Sequence, residues 1–99
     1  MQIIMLERGA GKTAKVIEEC RKHGGYIVCP GRREAKDIAD KAAAWGIRIP
    51  YPLTFEEFLR GQFRGRGVKA FHIDNADLLI QYMARGVPVV TASMGTCAG

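Results

Sequence analysis

Apolar and polar residues come in short blocks along this chain, and the spacing within the blocks changes from one to the next. Residues 2–6, 26–29, 68–74 and 87–93 are runs rich in Ile, Val, Phe and Tyr. Runs of this length and composition read as strands. Tyr26-Ile27-Val28-Cys29 shows no alternation, as expected of a strand covered on both faces. Between these runs the apolar residues recur at helical spacing. Val16, Ile17 and Cys20 stripe a helix over 12–23, ended by Gly24-Gly25. Ala35, Ile38, Ala39, Ala42 and Trp45 stripe a helix over 33–45, with Trp45 expected in the core and Gly46 as the stop. Leu79, Ile80 and Met83 form the expected buried face of a helix that starts near Asn75 and stops at Gly86. Glycine ends helices because it takes the left-handed conformation without steric cost.

One local signature is more detailed. Thr54-Phe55-Glu56-Glu57 has the form of a capping box, in which the Thr54 hydroxyl and the Glu57 carboxylate each cap the other's backbone N–H. Leu53 and Phe58 stand where a hydrophobic staple requires them, and a short helix to about Arg60 follows. Residues 47–52 are a proline-bounded connector.

Strands that alternate with helices imply crossover connections. The expected fold is α/β: a three-layer sandwich with a short parallel sheet and helices on both faces, built as one domain over residues 1–99. Ligands of such sheets bind beyond the carboxyl ends of the strands, here marked by Leu6, Cys29, Asp74 and Ser93. The polar chemistry is therefore expected on one rim.

Composition changes this picture little. The chain has 99 residues, 47% apolar and 25% charged, as in an ordinary soluble globule. No run is long enough to span a membrane, and the first residues lack a signal-peptide pattern. Three cysteines, Cys20, Cys29 and Cys97, lack metal-ligand spacing and fit a reducing, cytoplasmic setting. Cys20 and Cys29 sit among apolar residues and read as small hydrophobes. The net charge of +5 permits an anionic partner.

The sharpest chemical signal lies between the first strand and the first helix. Arg8-Gly9-Ala10-Gly11-Lys12-Thr13 has the form of a phosphate-binding loop, with Arg8, Gly9, Ala10, Gly11, Lys12 and Thr13 as the candidate nucleotide-binding residues. Glycines let successive N–H groups curl around an anion, and the helix N-terminus adds partial positive charge at the same point. Lys12 brings a full charge for the outer phosphates, and Thr13 offers a hydroxyl to Mg2+. The loop departs from the usual pattern at its first corner, where Leu6 stands in place of glycine. Asp74, at the end of an apolar strand, is the candidate acid for the same Mg2+, with helix capping as its alternative role. The next position, Asn75, cannot accept a proton, so hydrolysis would look to Asp77, which either reaches the site or caps its own helix. Lys12, Asp74 and Asp77 are the candidate catalytic residues, and Thr13 and Asp74 the candidate metal ligands. His72 shares the strand parity of Asp74 and reads as a packed, hydrogen-bonded histidine. Thr91 and Ser93 either contact a terminal phosphate or satisfy backbone.

Taken in order, Arg8 to Thr13, Val28-Cys29-Pro30, Thr54 to Phe58, Phe71 to Asp77 and Val90 to Ser93 resemble the first RecA-like domain of superfamily 1 and 2 helicases and related phage ATPases and terminases. The resemblance implies ATP as the nucleotide, motif I at Gly9, Gly11, Lys12 and Thr13, and motif II at Asp74. It implies contacts to single-stranded nucleic acid near Arg32 and Thr54, a coupling motif at Thr91-Ala92-Ser93, and the sheet order 1-4-3-2, with the strand at 87–93 between those at 2–6 and 68–74. A glutamate after the metal acid is missing, as is a second RecA-like domain with its arginine finger. A self-associating or partner-dependent ATPase, in a host cytoplasm if phage-encoded, is what this pattern implies.

Two other classes compete. Arg64 and Arg66, with Arg60, Lys69 and Phe63, form a basic glycine-rich loop that either binds single-stranded nucleic acid or is simply solvated. With Arg32 and Arg33 they are the candidate nucleic-acid contacts of a non-enzymatic binding module on a degenerate loop fold. A small nucleotide kinase shares the loop, but the chain has no arginine-rich lid for a second substrate.

Overall fold

The computed structural model of the chain describes residues 1–5 and 11–95. Its elements run α1 (Lys12–His23), β1 (Tyr26–Cys29), α2 (Arg32–Ala44), β2 (Leu53–Thr54), α3 (Phe55–Leu59), β3 (Phe71–Ile73) and α4 (Ala76–Met83). The three strands form one parallel sheet in the order β2-β1-β3. The α/β class and the parallel sheet follow the expected pattern.

The central strand explains the missing alternation. Ile27 and Cys29 face Val16, Ile17 and Cys20 of α1 and Ala35, Ile38 and Ala42 of α2. Val28 faces the other way, into a cluster with Leu53, Phe55 and Leu79, flanked by Tyr26, Phe58, Phe63 and Phe71. Each face of β1 thus carries its own core, and every fully buried aliphatic side chain there stabilises the fold by about 1.5–3 kcal/mol relative to exposure. Helix α1 has the bounds and the buried stripe its sequence predicts.

The capping box is formed in full. The Glu57 N–H donates to Thr54 Oγ1 at 3.1 Å, and the Thr54 N–H donates to Glu57 Oε1 at 2.8 Å. Because Thr54 also ends β2, the box fixes the strand-to-helix corner that seats Phe55 in the core. Thr54→Ala should therefore lower stability by about 1 kcal/mol in urea unfolding, the usual value of a lost cap. An unchanged midpoint would mean that Leu53 and Phe55 hold the corner without the cap.

The sheet departs from the 1-4-3-2 expectation. Strand 26–29 does neighbour the acid-bearing strand, as β1 and β3, but residues 2–5 and 87–93 join no ladder. The predicted order makes 87–93 the bridge between the other two strands, so if it stays out, 2–5 has no neighbour. A side chain engages the start of that segment. Gln81 Nε2 donates to the Val87 carbonyl at 2.8 Å, and the Val89 N–H donates to Gln81 Oε1 at 2.8 Å. Pro88 has no N–H to offer a ladder. One glutamine amide thus meets the backbone groups a neighbouring strand would take. Val90 is 89% exposed, and Val87 and Met5 are exposed with it. The expected buried face of α4 is likewise reduced to Leu79, with Ile80 and Met83 exposed.

The expectation for Trp45 is also overturned. Helix α2 ends at Ala44, Trp45 is its C-cap, and its side chain is 51% exposed. Ile47 and Ile49 of the connector cover that end of the core instead. Among the described residues, no helix is long and apolar enough to cross a membrane.

Candidate functional site

The site is built where α1 begins and β3 ends. Gly11 is the N-cap of α1 with φ 80°, the left-handed region that suits glycine, and it has no side chain with which to cap. No acidic residue lies in the first turn. Among the described residues, the positive end of the α1 dipole therefore has neither a side-chain cap nor a carboxylate of its own helix's first turn. Lys12 and Thr13 are its first two residues.

The facing wall comes from β3. The Asp74 N–H donates to the Val28 carbonyl at 2.8 Å, extending the ladder past Ile73. The register pairs Ile27 with His72, so His72 and Asp74 share the α1 face of the sheet. The His72 Nε2 hydrogen-bonds the Gly24 carbonyl at 2.7 Å, so the expected hydrogen bond is present on a ring that is only partly buried. Asp74 is only 4% exposed, and its Oδ1 has no hydrogen-bond partner among the described residues. Burial raises its pKa above the usual 3.8, opposed by the Lys12 charge, the nearby Thr13 hydroxyl and the charge of Lys41. An orphaned carboxylate oxygen in such a place is costly unless something else satisfies it.

Asn75 completes the cluster. It adopts φ 62° and ψ 61° as the N-cap of α4, a left-handed conformation that asparagine tolerates better than most residues. The Lys12 Nζ donates to its Oδ1 at 2.5 Å, between residues 63 apart in sequence. Lys12, Thr13, Asp74 and Asn75 are thus brought together. Periodicity shows none of this contact; its one sequence signal is an asparagine between a strand and a helix, where a left-handed turn is needed.

The remaining candidates divide. Arg8, Gly9 and Ala10 lie outside the described residues, as do Leu6 and Cys97. Asp77 is exposed in the first turn of α4. Arg32 and Arg33 open α2, exposed, at the same end of the sheet as Asp74. Arg64 and Arg66 are exposed in the segment leading into β3, and the Arg66 guanidinium lies 5.8 Å from the ring centre of Tyr26, the first residue of β1. They stand at the amino edge, so the single polar rim gathers Arg32 and Arg33 but not Arg64 and Arg66. Parallel strands enforce this, because a loop entering a strand sits opposite the loop leaving it. Phe63 is no free stacking platform: its ring centre is 4.7 Å from that of Phe71 and 5.9 Å from that of Phe58. Thr54 is engaged by its cap, and Thr91 and Ser93 are exposed outside the sheet.

Cys20 and Cys29 are buried free thiols. Burial, then the charges of Glu34 and Asp74, push the Cys29 thiol up to about 12, and its Sγ donates to the Leu53 carbonyl at 3.5 Å. Burial also raises Cys20.

Among the described residues no three His, Cys, Asp or Glu side chains gather as a metal cage. Mg2+ does not need one, because it usually binds through one or two protein oxygens, waters and a substrate phosphate. The orphaned Asp74 oxygen and the Thr13 hydroxyl suit that donor set. No protein-family model matches this chain, and no curated protein or solved structure matches it.

Proposed function

We propose that this chain is a phosphate-loop domain that binds ATP with Mg2+, a minimal helicase-like ATPase domain whose hydrolysis is weak or dependent on a partner. The observation that carries this reading is the hydrogen bond that seats Lys12, at the N-terminus of α1, on Asn75, next in the chain to the buried Asp74 carboxylate, whose Oδ1 has no partner among the described residues. Oxygen donors and an ammonium beside free helix N–H groups are what a magnesium–polyphosphate needs.

In this reading Arg8, Gly9, Ala10 and Gly11 supply the main-chain cradle and Lys12 the counter-charge. Thr13 and Asp74 would hold Mg2+, which would neutralise charge on the phosphate tail. Weak hydrolysis follows from Asn75, which offers an amide where a proton acceptor is needed, and from Asp77, which is turned to solvent. In this reading the chain would complete a P-loop sheet in the order 1-4-3-2 only if the segments 2–6 and 87–93, whose described residues lie outside the three-stranded sheet of the free chain, came to seat beside the open edge of β3. The exposed valines of 87–90 favour a second copy or a protein partner as the cover. The purified chain should bind a fluorescent ATP analogue saturably and only with Mg2+. No binding at millimolar nucleotide rejects the reading.

A second reading rests on Arg64, Arg66 and Lys69, exposed at the amino edge of the sheet. They favour a non-enzymatic module for single-stranded nucleic acid. Replacing Arg64 and Arg66 with alanine should then weaken binding to an oligonucleotide and flatten the slope of log K against log salt by about 1.4, from ~0.7 per lost phosphate contact. No wild-type binding at low salt rejects the module.

A further inference from the structure

We propose that Asn75 is a latch on Lys12: it holds the lysine in the free protein and thereby sets the affinity of the phosphate site. This inference rests on the phosphate-site reading and adds to it a competitor from within the chain. Lysine can only donate, so the amide must present Oδ1 to it. The 2.5 Å contact has a charged donor and joins the first residue of α1 to the N-cap of α4. Asn75 reaches it from a left-handed backbone that costs free energy for any residue other than glycine. The amide makes no cap for its own helix. A side chain that leaves its helix N-terminus uncapped and holds a strained turn is therefore engaged, among the described residues, by the lysine alone. An anion that takes Lys12 must displace this uncharged acceptor first. The latch is weak enough to yield to a phosphate and strong enough to lower the affinity for one. A carboxylate at the same position would pair with Lys12 far more tightly and would also repel the ligand.

Two glycine- and charge-based variants separate these effects. Asn75→Gly removes the acceptor and suits the left-handed turn, so the fold is kept. In competitive labelling with a succinimidyl ester, Lys12 should react about three- to tenfold faster in Asn75→Gly than in wild type, measured against the exposed Lys15 and Lys22, as expected for the loss of one part-buried hydrogen bond of ordinary net strength. The same variant should bind Mg-ATP and magnesium–tripolyphosphate tighter by a similar factor. Asn75→Asp should bind both at least ~10-fold more weakly, since each 1.4 kcal/mol is a factor of ten. An unchanged labelling ratio overturns the latch even if wild type binds ATP well. Faster labelling of Lys12 without nucleotide binding by any variant overturns instead the phosphate-site reading, and with it the role in affinity. Binding that is equal or weaker in Asn75→Gly overturns the proposal while leaving the phosphate site standing.

Discussion

Lys12→Ala is expected to weaken Mg-ATP binding roughly a hundredfold, the combined effect of losing the full charge and its hydrogen bonds to phosphate oxygens. The loss should be specific to the ligand. Lys12 is the first residue of α1, where alanine is a good helix former, and its one side-chain hydrogen bond among the described residues is to the half-exposed Asn75, whose carbonyl water can satisfy. Stability in urea should therefore move far less than affinity. Isothermal titration of both proteins, with melting curves as the control, makes the comparison. A variant that still binds within about threefold of wild type would place the phosphates away from the α1 N-terminus, and a difference that small is about 0.7 kcal/mol.

The parts of the fold that could be read from the chain are those fixed by near neighbours. Helix α1 needed only Val16, Ile17 and Cys20 at helical spacing and a glycine pair to stop it. The capping box needed four consecutive residues. The two-sided burial of β1 was written in Ile27, Val28 and Cys29, which leave no polar face. What escaped depends on pairing between distant segments. Strand β2 is two residues long and exists because Leu53 and Thr54 fall into register with Val28 and Cys29. Residues 87–93 have strand composition, but Gln81 meets their backbone groups first. Phe63 looked free between arginines because its partners, Phe58 and Phe71, are brought to it only by the fold.

The site was legible by the same rule. A strand ending in Asp74 and a loop ending in Lys12-Thr13 could be predicted to share an edge, because parallel strands direct their carboxyl ends one way. The division of arginines between two edges follows from that rule as well, once β3 is known to begin after Arg66. The contact from Lys12 to Asn75 could not be read, since it depends on a left-handed turn that brings an amide back over the helix start. Charge counting alone made Asn75 an absent base.

Asp74→Asn should make the free protein more stable while removing its dependence on magnesium. Burial raises the Asp74 pKa, with Lys12 and Thr13 only partly opposing it. The folded state thus keeps its proton at pH values where the unfolded chain, near 3.8, has released it. Stability from this group is fully present below 3.8 and is lost as pH rises through the folded pKa. At neutral pH the wild type carries a buried carboxylate with one unpartnered oxygen, and the asparagine variant carries a neutral amide of the same shape. The gain should be on the order of 1 kcal/mol, or about 4–8 °C in Tm for a domain of this size. The difference should shrink towards zero as the pH falls below 3.8, because the wild-type side chain is then neutral too. Magnesium with ATP should raise the Tm of wild type and leave that of the variant unmoved, since the ion favours the charged carboxylate. Melting curves from pH 3 to 8, with and without magnesium and nucleotide, test all three statements together. A variant less stable than wild type at neutral pH would mean that Lys12 and Thr13 more than offset the burial of Asp74, so that the carboxylate serves the fold rather than a ligand.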